Sequence, residues 1–137
     1  MTIGAAEPAI GQEIAPVIKY LSLQNMSRPL MAGGNPLHYD PEFATKVGLP
    51  APIATGVMSS AYLSEMLTKT FGIEWLRGGS MNVKFIRPIY ADDTVTARGR
   101  ITGHIETSTG QRISLEIWCE TQRGERVTVG TASVVVR

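Results

Sequence analysis

One of the two histidines in the sequence, His38, lies directly after a turn that a proline stiffens. Pro36 fixes its own backbone φ and follows Asn35, so the chain leading to His38 has few conformations available. Imidazole exchanges a proton near neutral pH, which makes a histidine held in this way a candidate acid–base group. The alternative is structural: His38 bonds a backbone carbonyl, and Asn35 bonds its own turn.

A second candidate is Gly56, at the start of the longest helical segment. The first amide N–H groups of a helix have no intrahelical partner, and the helix dipole favours negative charge there. An oxygen that gains charge during a reaction is therefore well placed at Gly56, although the glycine could serve packing alone. Further along this helix, the hydroxyl of Ser64 can bond back to a helix carbonyl, and Glu65 is expected as a surface charge.

The composition excludes several classes of function. The formal net charge is +1, so no overall field favours nucleic acid or an anionic membrane. A single cysteine, Cys119, allows neither an intrachain disulfide nor a thiolate metal site, and the sequence has no metal-ligand cluster and no nucleotide-binding glycine motif. The first residues do not form a signal peptide, and no apolar stretch approaches about 20 residues, so we expect a cytoplasmic protein.

The elements that would position these residues begin with one long helix. The chain length predicts a single domain over residues 1–137, with residues 1–12 as a loose N-terminal arm. Apolar residues recur at three- and four-residue spacing over residues 56–71, and Gly72 ends the run, which predicts a helix.

Shorter elements precede this helix. Residues 13–21 are predicted to form a strand. Residues 22–31 are predicted to form a short helix with Ser22 or Asn25 as its cap. A third helix is predicted over residues 41–47, because proline suits a first helical position and Gly48 follows the segment.

After Gly79 the pattern changes to alternation, which predicts four further antiparallel strands joined by turns at residues 107–110 and 122–125. The apolar phase slips in the last strand, so we predict a β-bulge near Gly130. His104 has the opposite parity to the apolar residues of its strand and is expected to face solvent. A sheet with one apolar face must close over the long helix, so the predicted class is α+β, with a five-stranded antiparallel sheet wrapped around that helix.

Several segments together resemble the MaoC-like, (R)-specific enoyl-CoA hydratase (hydratase 2) family of hot-dog-fold proteins. The first is residues 34–40, with the sequence Gly-Asn-Pro-Leu-His-Tyr-Asp. Residues 43–44, Phe-Ala, and residues 54–58, Ala-Thr-Gly-Val-Met, follow it. Residues 84–95 resemble the second-strand segment of the family and the turn after it. The resemblance extends over about residues 13–136.

The resemblance implies a reaction and a set of binding residues. Family members add water across the trans-2 double bond of an enoyl-CoA thioester, or remove it in reverse. His38 matches their acid–base histidine, and the amide of Gly56 matches the group that holds the thioester oxygen. Thr55, Val57 and Ser64 are expected to bind substrate. The resemblance further implies a homodimer or a heteromer with another hot-dog chain, an acyl-CoA substrate, and no metal or cofactor beyond coenzyme A itself.

The sequence departs from the family at one position. Gly33 lies where the family has its catalytic aspartate, and residues 30–35 contain no acid. Loss of an acid–base group typically costs about 10²- to 10⁴-fold in rate. Three explanations remain open: His38 acts with a water that Asn35 orients, Asp40 substitutes, or a different hot-dog chain supplies the acid. The chain would then be a hydratase or dehydratase, a half-site subunit, or, as a third alternative, a thioesterase that uses Glu65.

Overall fold

A computed structural model describes residues 8–28 and 33–137 of the chain. Its helices are α1 (Leu23–Met26), a 3-10 turn (Pro36–His38), α2 (Pro41–Lys46), α3 (Gly56–Phe71) and α4 (Ile73–Gly78). Its strands are β1 (Val17–Tyr20), β2 (Ser80–Phe85), β3 (Thr94–Thr107), β4 (Gly110–Thr121) and β5 (Arg126–Val136). Within these residues, no helix combines the length and the hydropathy that a membrane crossing requires.

The five strands form one antiparallel sheet in the order β1-β3-β4-β5-β2. The long middle strands β3, β4 and β5 follow one another along the chain, whereas β1 and β2 occupy the two edges. The sheet packs against α3, so the prediction of an α+β hot-dog fold with one long helix is confirmed. The extent of the domain, residues 1–137, stays a prediction.

The core lies between one face of α3 and the inner face of the sheet. Leu63, Met66 and Leu67 on α3 have no solvent exposure, and neither do Ile101 and Ile117 on the sheet. Burial of such side chains stabilises the fold by about 1.5–3 kcal/mol each. The helix ends at Gly72, whose φ of +60° breaks the helical path. The helical period in the sequence therefore identified the element.

The sheet contains two β-bulges, and neither lies at Gly130, where one was predicted. In the pairing of β4 with β5, Cys119 is opposite Thr128 and Glu120 is opposite Arg126, so Val127 is the extra residue. Gly130 is instead in register opposite Ile117. The change in the parity of the apolar residues along β5 indicated one extra residue, but it did not indicate at which position of the strand pairing that residue lies. The bulge at Val127 turns Thr128 toward α3.

The second bulge, at Thr102 in β3, reverses the expectation for His104. Beyond this bulge His104 is paired with Ile113, whose side chain is buried. His104 is half-buried, and its Nδ1 lies 3.1 Å from the side-chain nitrogen of Gln111. Ile105 is 60% exposed. The prediction that His104 faces solvent was wrong because one inserted residue exchanges the two faces of a strand.

The described part of the N-terminal arm is not loose. Gly11 N–H donates to the carbonyl of Ile101 at 2.7 Å, and Ile101 N–H donates to the carbonyl of Gln12 at 2.9 Å. Residues 8–12 are therefore attached to β3, which corrects the expectation for that part of residues 1–12. Residues 1–7, and residues 29–31 of the predicted second element, lie outside the described ranges. Ser22 caps α1, since its hydroxyl accepts from Asn25 N–H.

Candidate functional site

A cavity of about 310 Å³ opens where the long helix begins. It lies between the first turn of α3, the end of β2, the segment that follows β2, and the start of β5. Most of its lining is apolar, with polar atoms contributed by four side chains. The lining residues are Ile53, Ala54, Thr55, Gly56, Ser59, Phe85, Ile86, Arg87, Pro88, Ile89 and Thr128.

The start of α3 presents hydrogen-bond donors at this cavity. Met58 N–H bonds to the carbonyl of Thr55, whereas the amides of Gly56 and Val57 contact no acceptor within the described parts of the chain. Thr55 is the N-cap, but its side chain makes no capping bond, and its Oγ1 is buried without a hydrogen-bond partner. These free donors and the helix dipole make the position favourable for an oxygen that carries negative charge.

Gly56 also packs closely against an aromatic side chain. A Cβ added at Gly56 would lie 2.7 Å from the nearest atom of the Phe85 ring, closer than van der Waals contact allows. The functional and the packing interpretations of this glycine are therefore compatible. The side chain of Val57, expected to bind substrate, is 64% exposed and does not line the cavity.

His38 is connected to the cavity wall by one hydrogen bond. Its Nδ1 lies 2.7 Å from the carbonyl oxygen of Ile53, which lines the cavity. A carbonyl oxygen can only accept, so Nδ1 carries the hydrogen and Nε2 of the neutral ring keeps its lone pair. The amide of Ile53 bonds back to the carbonyl of Leu37 at 3.2 Å. His38 is half-buried and does not itself line the cavity.

Asn35 and Asp40 hold the segment that carries His38. The Asn35 side-chain oxygen accepts from Leu37 N–H at 3.0 Å and so caps the 3-10 turn. Asp40 caps α2, because its Oδ1 accepts from the amides of Glu42 and Phe43. Neither side chain lines the cavity. The geometry therefore matches the structural interpretation of both residues and does not bring them to the proposed site of reaction.

No carboxylate is found among the described residues that line the cavity. Gly33 and its neighbour Gly34 have φ values of +59° and +80°, and a Cβ at either position would meet nothing within 4 Å. The charged side chain in the lining is Arg87, whose Nη1 donates to the carbonyl of Arg126 at 2.9 Å. The local charge therefore favours an anionic group, and no described lining residue is a general base.

Ser64 lies elsewhere. Its hydroxyl accepts a hydrogen bond from the indole nitrogen of Trp75 at 3.2 Å, and its carbonyl accepts from the Thr68 hydroxyl at 2.7 Å. Ser64 does not line the cavity, so the expectation that it binds substrate there is not met. The physical reason is distance along the helix: Ser59 lies about 4.5 Å beyond Gly56, whereas Ser64 lies about 12 Å beyond it, more than two turns away.

Ser59 and Thr128 were missed by the sequence analysis. Their hydroxyl oxygens are 2.9 Å apart, each residue is 1% exposed, and both line the cavity. The position of Ser59 follows from the helical period. Thr128 carries no comparable signal in the sequence, because its direction depends on the bulge at Val127.

The groups that thioester hydrolysis would need lie outside the cavity. Glu65 forms ion pairs with Lys19 at 3.1 Å and with Lys69 at 3.9 Å, and it does not line the cavity. Burial raises the pKa of Cys119 to about 12, so this thiol is not a nucleophile near neutral pH. The geometry does not support the thioesterase alternative.

Comparison with known proteins identifies the family to which this chain belongs. A family model described as a MaoC like domain matches residues 31–137, which is most of the chain. The chain belongs to the MaoC-like dehydratase family. The resemblance noted in the sequence is thereby confirmed. A search of curated protein sequences finds no significant match.

Three solved structures share the fold of this chain over nearly its whole length. The (R)-hydratase from A. caviae involved in PHA biosynthesis is 25% identical, with a TM-score of 0.79 over 97% of this chain and 100% of that one. The R-hydratase PhaJ1 from Pseudomonas aeruginosa is 18% identical, with a TM-score of 0.78 over 93% and 81%. The ChsH1-ChsH2 complex from Mycobacterium tuberculosis is 18% identical, with a TM-score of 0.76 over 94% of this chain and 98% of that one.

Proposed function

We propose that this MaoC-like chain hydrates the trans-2 double bond of an enoyl-CoA thioester, or removes water from the 3-hydroxyacyl-CoA in reverse. One observation carries the proposal: the donors at the start of α3 share a cavity with Ile53, whose carbonyl holds the ring of His38. The family and the similarity to (R)-hydratases support this reaction class.

The thioester oxygen would bind at the start of α3. When hydroxide adds to C3 of the acyl group, negative charge develops on this oxygen as the enolate forms. The free amide of Gly56 and the unpartnered hydroxyl of Thr55, both in the cavity lining, can donate to it. Donors fixed in advance stabilise such charge without reorganisation, and one donor typically contributes about 10²- to 10³-fold in rate.

His38 would move the proton. Nε2 takes a proton from the attacking water, and the resulting hydroxide bonds to C3 while the electron pair of the double bond moves toward the thioester. The imidazolium then returns the proton to C2, so one water is added in total. The carbonyl of Ile53 keeps the ring in one tautomer and stabilises its positive charge. Asn35 and Asp40 act through the backbone, by fixing the turn that carries His38.

The remaining lining offers contacts for the rest of the substrate. Apolar side chains such as Ile86 and Ile89 would contact the acyl chain, and Arg87 is suited to a phosphate of coenzyme A because guanidinium binds phosphate well. The proposed reaction uses no metal and no cofactor other than the coenzyme A of the substrate.

The test is the activity of the isolated chain on crotonyl-CoA. Hydration removes the conjugation between the double bond and the thioester, so we expect the enoyl-thioester absorbance to fall with time while no free thiol is released. Release of free thiol would indicate a thioesterase instead. An absorbance that stays constant for crotonyl-CoA and for longer enoyl-CoA substrates would contradict activity of the chain alone.

A second candidate function is a half-site subunit of a heteromeric hydratase. The specific observation is the missing carboxylate: Gly33 replaces the family aspartate, and no described lining residue is an acid. The structural similarity to the two-chain ChsH1-ChsH2 complex is compatible with it. This candidate expects no hydration by the isolated chain and hydration after another hot-dog chain with an intact aspartate is added.

Restoring the acid separates the two candidates further. Gly33 has left-handed backbone and open space around a Cβ, and aspartate tolerates this conformation better than most residues. If the missing acid limits the rate, Gly33→Asp raises kcat by about tenfold or more. Gly34→Asp is the matched control, since Gly34 also has positive φ and open space. An equal effect of both substitutions, or none, would show that the chain does not depend on an acid at position 33.

A further inference from the structure

A short backbone bridge lies between the turn that carries His38 and the segment that follows β2. In it, Ile53 pairs with Tyr90 in antiparallel fashion, outside the strands of the main sheet. The neighbours of this pair make its two hydrogen bonds, from Ala54 N–H to the Ile89 carbonyl at 2.8 Å and from Ala91 N–H to the Pro52 carbonyl at 3.0 Å. In a pair of this kind, the two paired residues make no backbone hydrogen bond to each other, so their own N–H and carbonyl groups remain available for other partners.

These remaining backbone groups bind different parts of the molecule on the two sides of the bridge. Ile53 N–H donates to the carbonyl of Leu37 at 3.2 Å, and the Ile53 carbonyl accepts from Nδ1 of His38 at 2.7 Å. Tyr90 N–H donates to Oδ2 of Asp93 at 2.9 Å, and the Tyr90 carbonyl accepts from Asp93 N–H at 3.1 Å. The bridge therefore connects the ring of His38 to the carboxylate of Asp93 through backbone hydrogen bonds.

The carboxylate of Asp93 is held in turn by the connection between β4 and β5. Asp93 is 3% exposed. Arg123 donates to both carboxylate oxygens, at 2.8 and 3.0 Å, and Gln122 Nε2 donates to Oδ1 at 2.9 Å. A guanidinium that binds a carboxylate through two hydrogen bonds fixes its direction as well as its distance. Asp93 therefore ties the bridge to the sheet.

The geometry that this ion pair fixes is a better reason for it than net stability. A buried ion pair contributes little compared with apolar side chains of similar volume, because its charges lose their hydration, although removing one partner is costly. The turn of residues 90–93 also holds Asp92 at a φ of +71°, a left-handed conformation that side chains rarely adopt. Such a conformation persists where surrounding contacts determine it. Asp93 supplies such contacts, because it bonds both backbone groups of Tyr90.

We propose that Asp93 is a positioning residue for His38, acting through the bridge so that the Ile53 carbonyl stays where Nδ1–H can donate to it. Asp93 does not line the cavity and acts only through these hydrogen bonds. Without the carboxylate, the amide of Tyr90 loses its partner and the Ile53 carbonyl loses its fixed position. The neutral imidazole then distributes its hydrogen over both ring nitrogens. The inference rests on the proposed function only for the use of Nε2 in catalysis.

The experiment determines which ring nitrogen of His38 carries the hydrogen in the full chain. The histidines are isotope-labelled at nitrogen, and two-bond proton–nitrogen correlation spectra are recorded without substrate in alkaline buffer, where imidazole is neutral. We expect the Nδ1–H tautomer to predominate in the wild type. Asp93→Ala should lower the ratio of the Nδ1–H to the Nε2–H tautomer by about fivefold, the size of one neutral hydrogen bond. His104 is the internal reference and should keep its ratio.

Arg123→Gln is a second variant, and Arg100→Gln is its matched control. Arg123→Gln removes the ion pair but keeps the carboxylate of Asp93, so the tautomer ratio should fall by less than in Asp93→Ala. Arg100 binds Glu116 at 2.7 Å, lies on β3 outside the bridge, and has a side chain 45% exposed against 42% for Arg123, so Arg100→Gln should leave the ratio unchanged.

A purely structural role for Asp93 would lower the melting temperature of Asp93→Ala and leave the tautomer ratio of the folded protein unchanged. That result, or an equal fall of the ratio in Arg100→Gln and Arg123→Gln, overturns the inference. If Asp93→Ala does not fold, an unchanged ratio in Arg123→Gln overturns it instead.

Catalysis gives a separate readout that depends on the proposed function. Asp93→Ala should lower kcat for crotonyl-CoA by about fivefold and leave KM nearly unchanged, because the lining that contacts substrate is intact. If the wild type hydrates crotonyl-CoA but the tautomer ratio does not respond to Asp93→Ala, the inference fails alone. If the ratio falls although the wild type shows no hydration, Asp93 positions the imidazole and the proposed activity of the isolated chain fails.

Discussion

The hydrogen bond from His38 to the carbonyl of Ile53 decides which ring nitrogen is available for chemistry. From the sequence alone, a bond to a backbone carbonyl is the alternative to an acid–base role for His38. In the structure the two are compatible, because the bond through Nδ1 leaves Nε2 free and fixes the orientation of the ring. The bond to Ile53 is therefore compatible with the acid–base role proposed for His38.

At the residue scale, Asp93 is expected to make stability depend on pH. Burial alone would raise the pKa of its carboxyl, but hydrogen bonds from Arg123, Gln122 and the amide of Tyr90 outweigh burial and hold the pKa below the usual 3.8. A carboxyl with a lowered folded-state pKa stabilises the fold above pH 3.8, and this stabilisation is lost as the pH falls through the folded-state pKa.

Asp93→Asn should therefore lower the free energy of unfolding at pH 7 by about 1–3 kcal/mol, and by less as the pH falls below 3.8. The measurement is urea unfolding at several pH values. Asp92→Asn is the control, because Asp92 is adjacent and its φ of +71° suits asparagine equally well. A constant difference between wild type and Asp93→Asn from pH 7 to pH 3 would show that the Asp93 charge does not stabilise the fold.

At the scale of elements, the long helix was predictable and the strand irregularities were not. The helix predicted over residues 56–71 has these bounds in the structure, since its apolar spacing and Gly72 are local signals. The bulges at Val127 and Thr102 depend on pairing between strands, which alternation alone does not locate. For the same reason the start of α3 could be predicted as part of the site, whereas Thr128 could not.

Gly130 shows why β5 needs a glycine even though no bulge lies there. A Cβ at Gly130 would lie 2.0 Å from the carbonyl oxygen of Asn82 on β2. The Cβ is fixed to the backbone of β5 and the oxygen belongs to the backbone of β2, so neither can move without moving its strand. Gly130→Ala should therefore separate β2 from β5 and lower the free energy of unfolding by about 2 kcal/mol. Gly103→Ala is the control in β3, because a Cβ there meets nothing within 4 Å.

Thermal unfolding followed by circular dichroism measures this prediction. We expect Gly130→Ala to melt well below both the wild type and Gly103→Ala. The cavity would be affected as well, because β2 carries Phe85, which packs on Gly56. Equal melting temperatures for the two variants would contradict the close approach of β2 and β5.

At the scale of the whole molecule, the exposed apolar surface next to the cavity indicates that the chain associates with another protein chain. Val57, Phe85 and Ile86 are 64%, 56% and 46% exposed, and β2, an edge strand of the sheet, ends at Phe85. Exposed apolar side chains beside an unpaired strand edge are typical of a surface that another chain covers. We expect a dimer, as the resemblance to the family also implies.

Sedimentation of the purified chain tests this. A dimer that Phe85→Glu dissociates, while Ile105→Glu at a distant exposed site does not, would identify the association surface. A monomer at concentrations used for the enoyl-CoA assay would be the contrary result, and would favour a different hot-dog chain as the natural partner.

The central claim is that His38 acts on a thioester held at the start of α3. The chain contains two histidines, so each serves as the control for the other. The decisive measurement is kcat/KM for crotonyl-CoA in His38→Gln and in His104→Gln, under conditions in which the wild type is active. We expect His38→Gln to lose about 100-fold or more and His104→Gln to stay near the wild type. Retention of kcat/KM within about threefold in His38→Gln would contradict the claim.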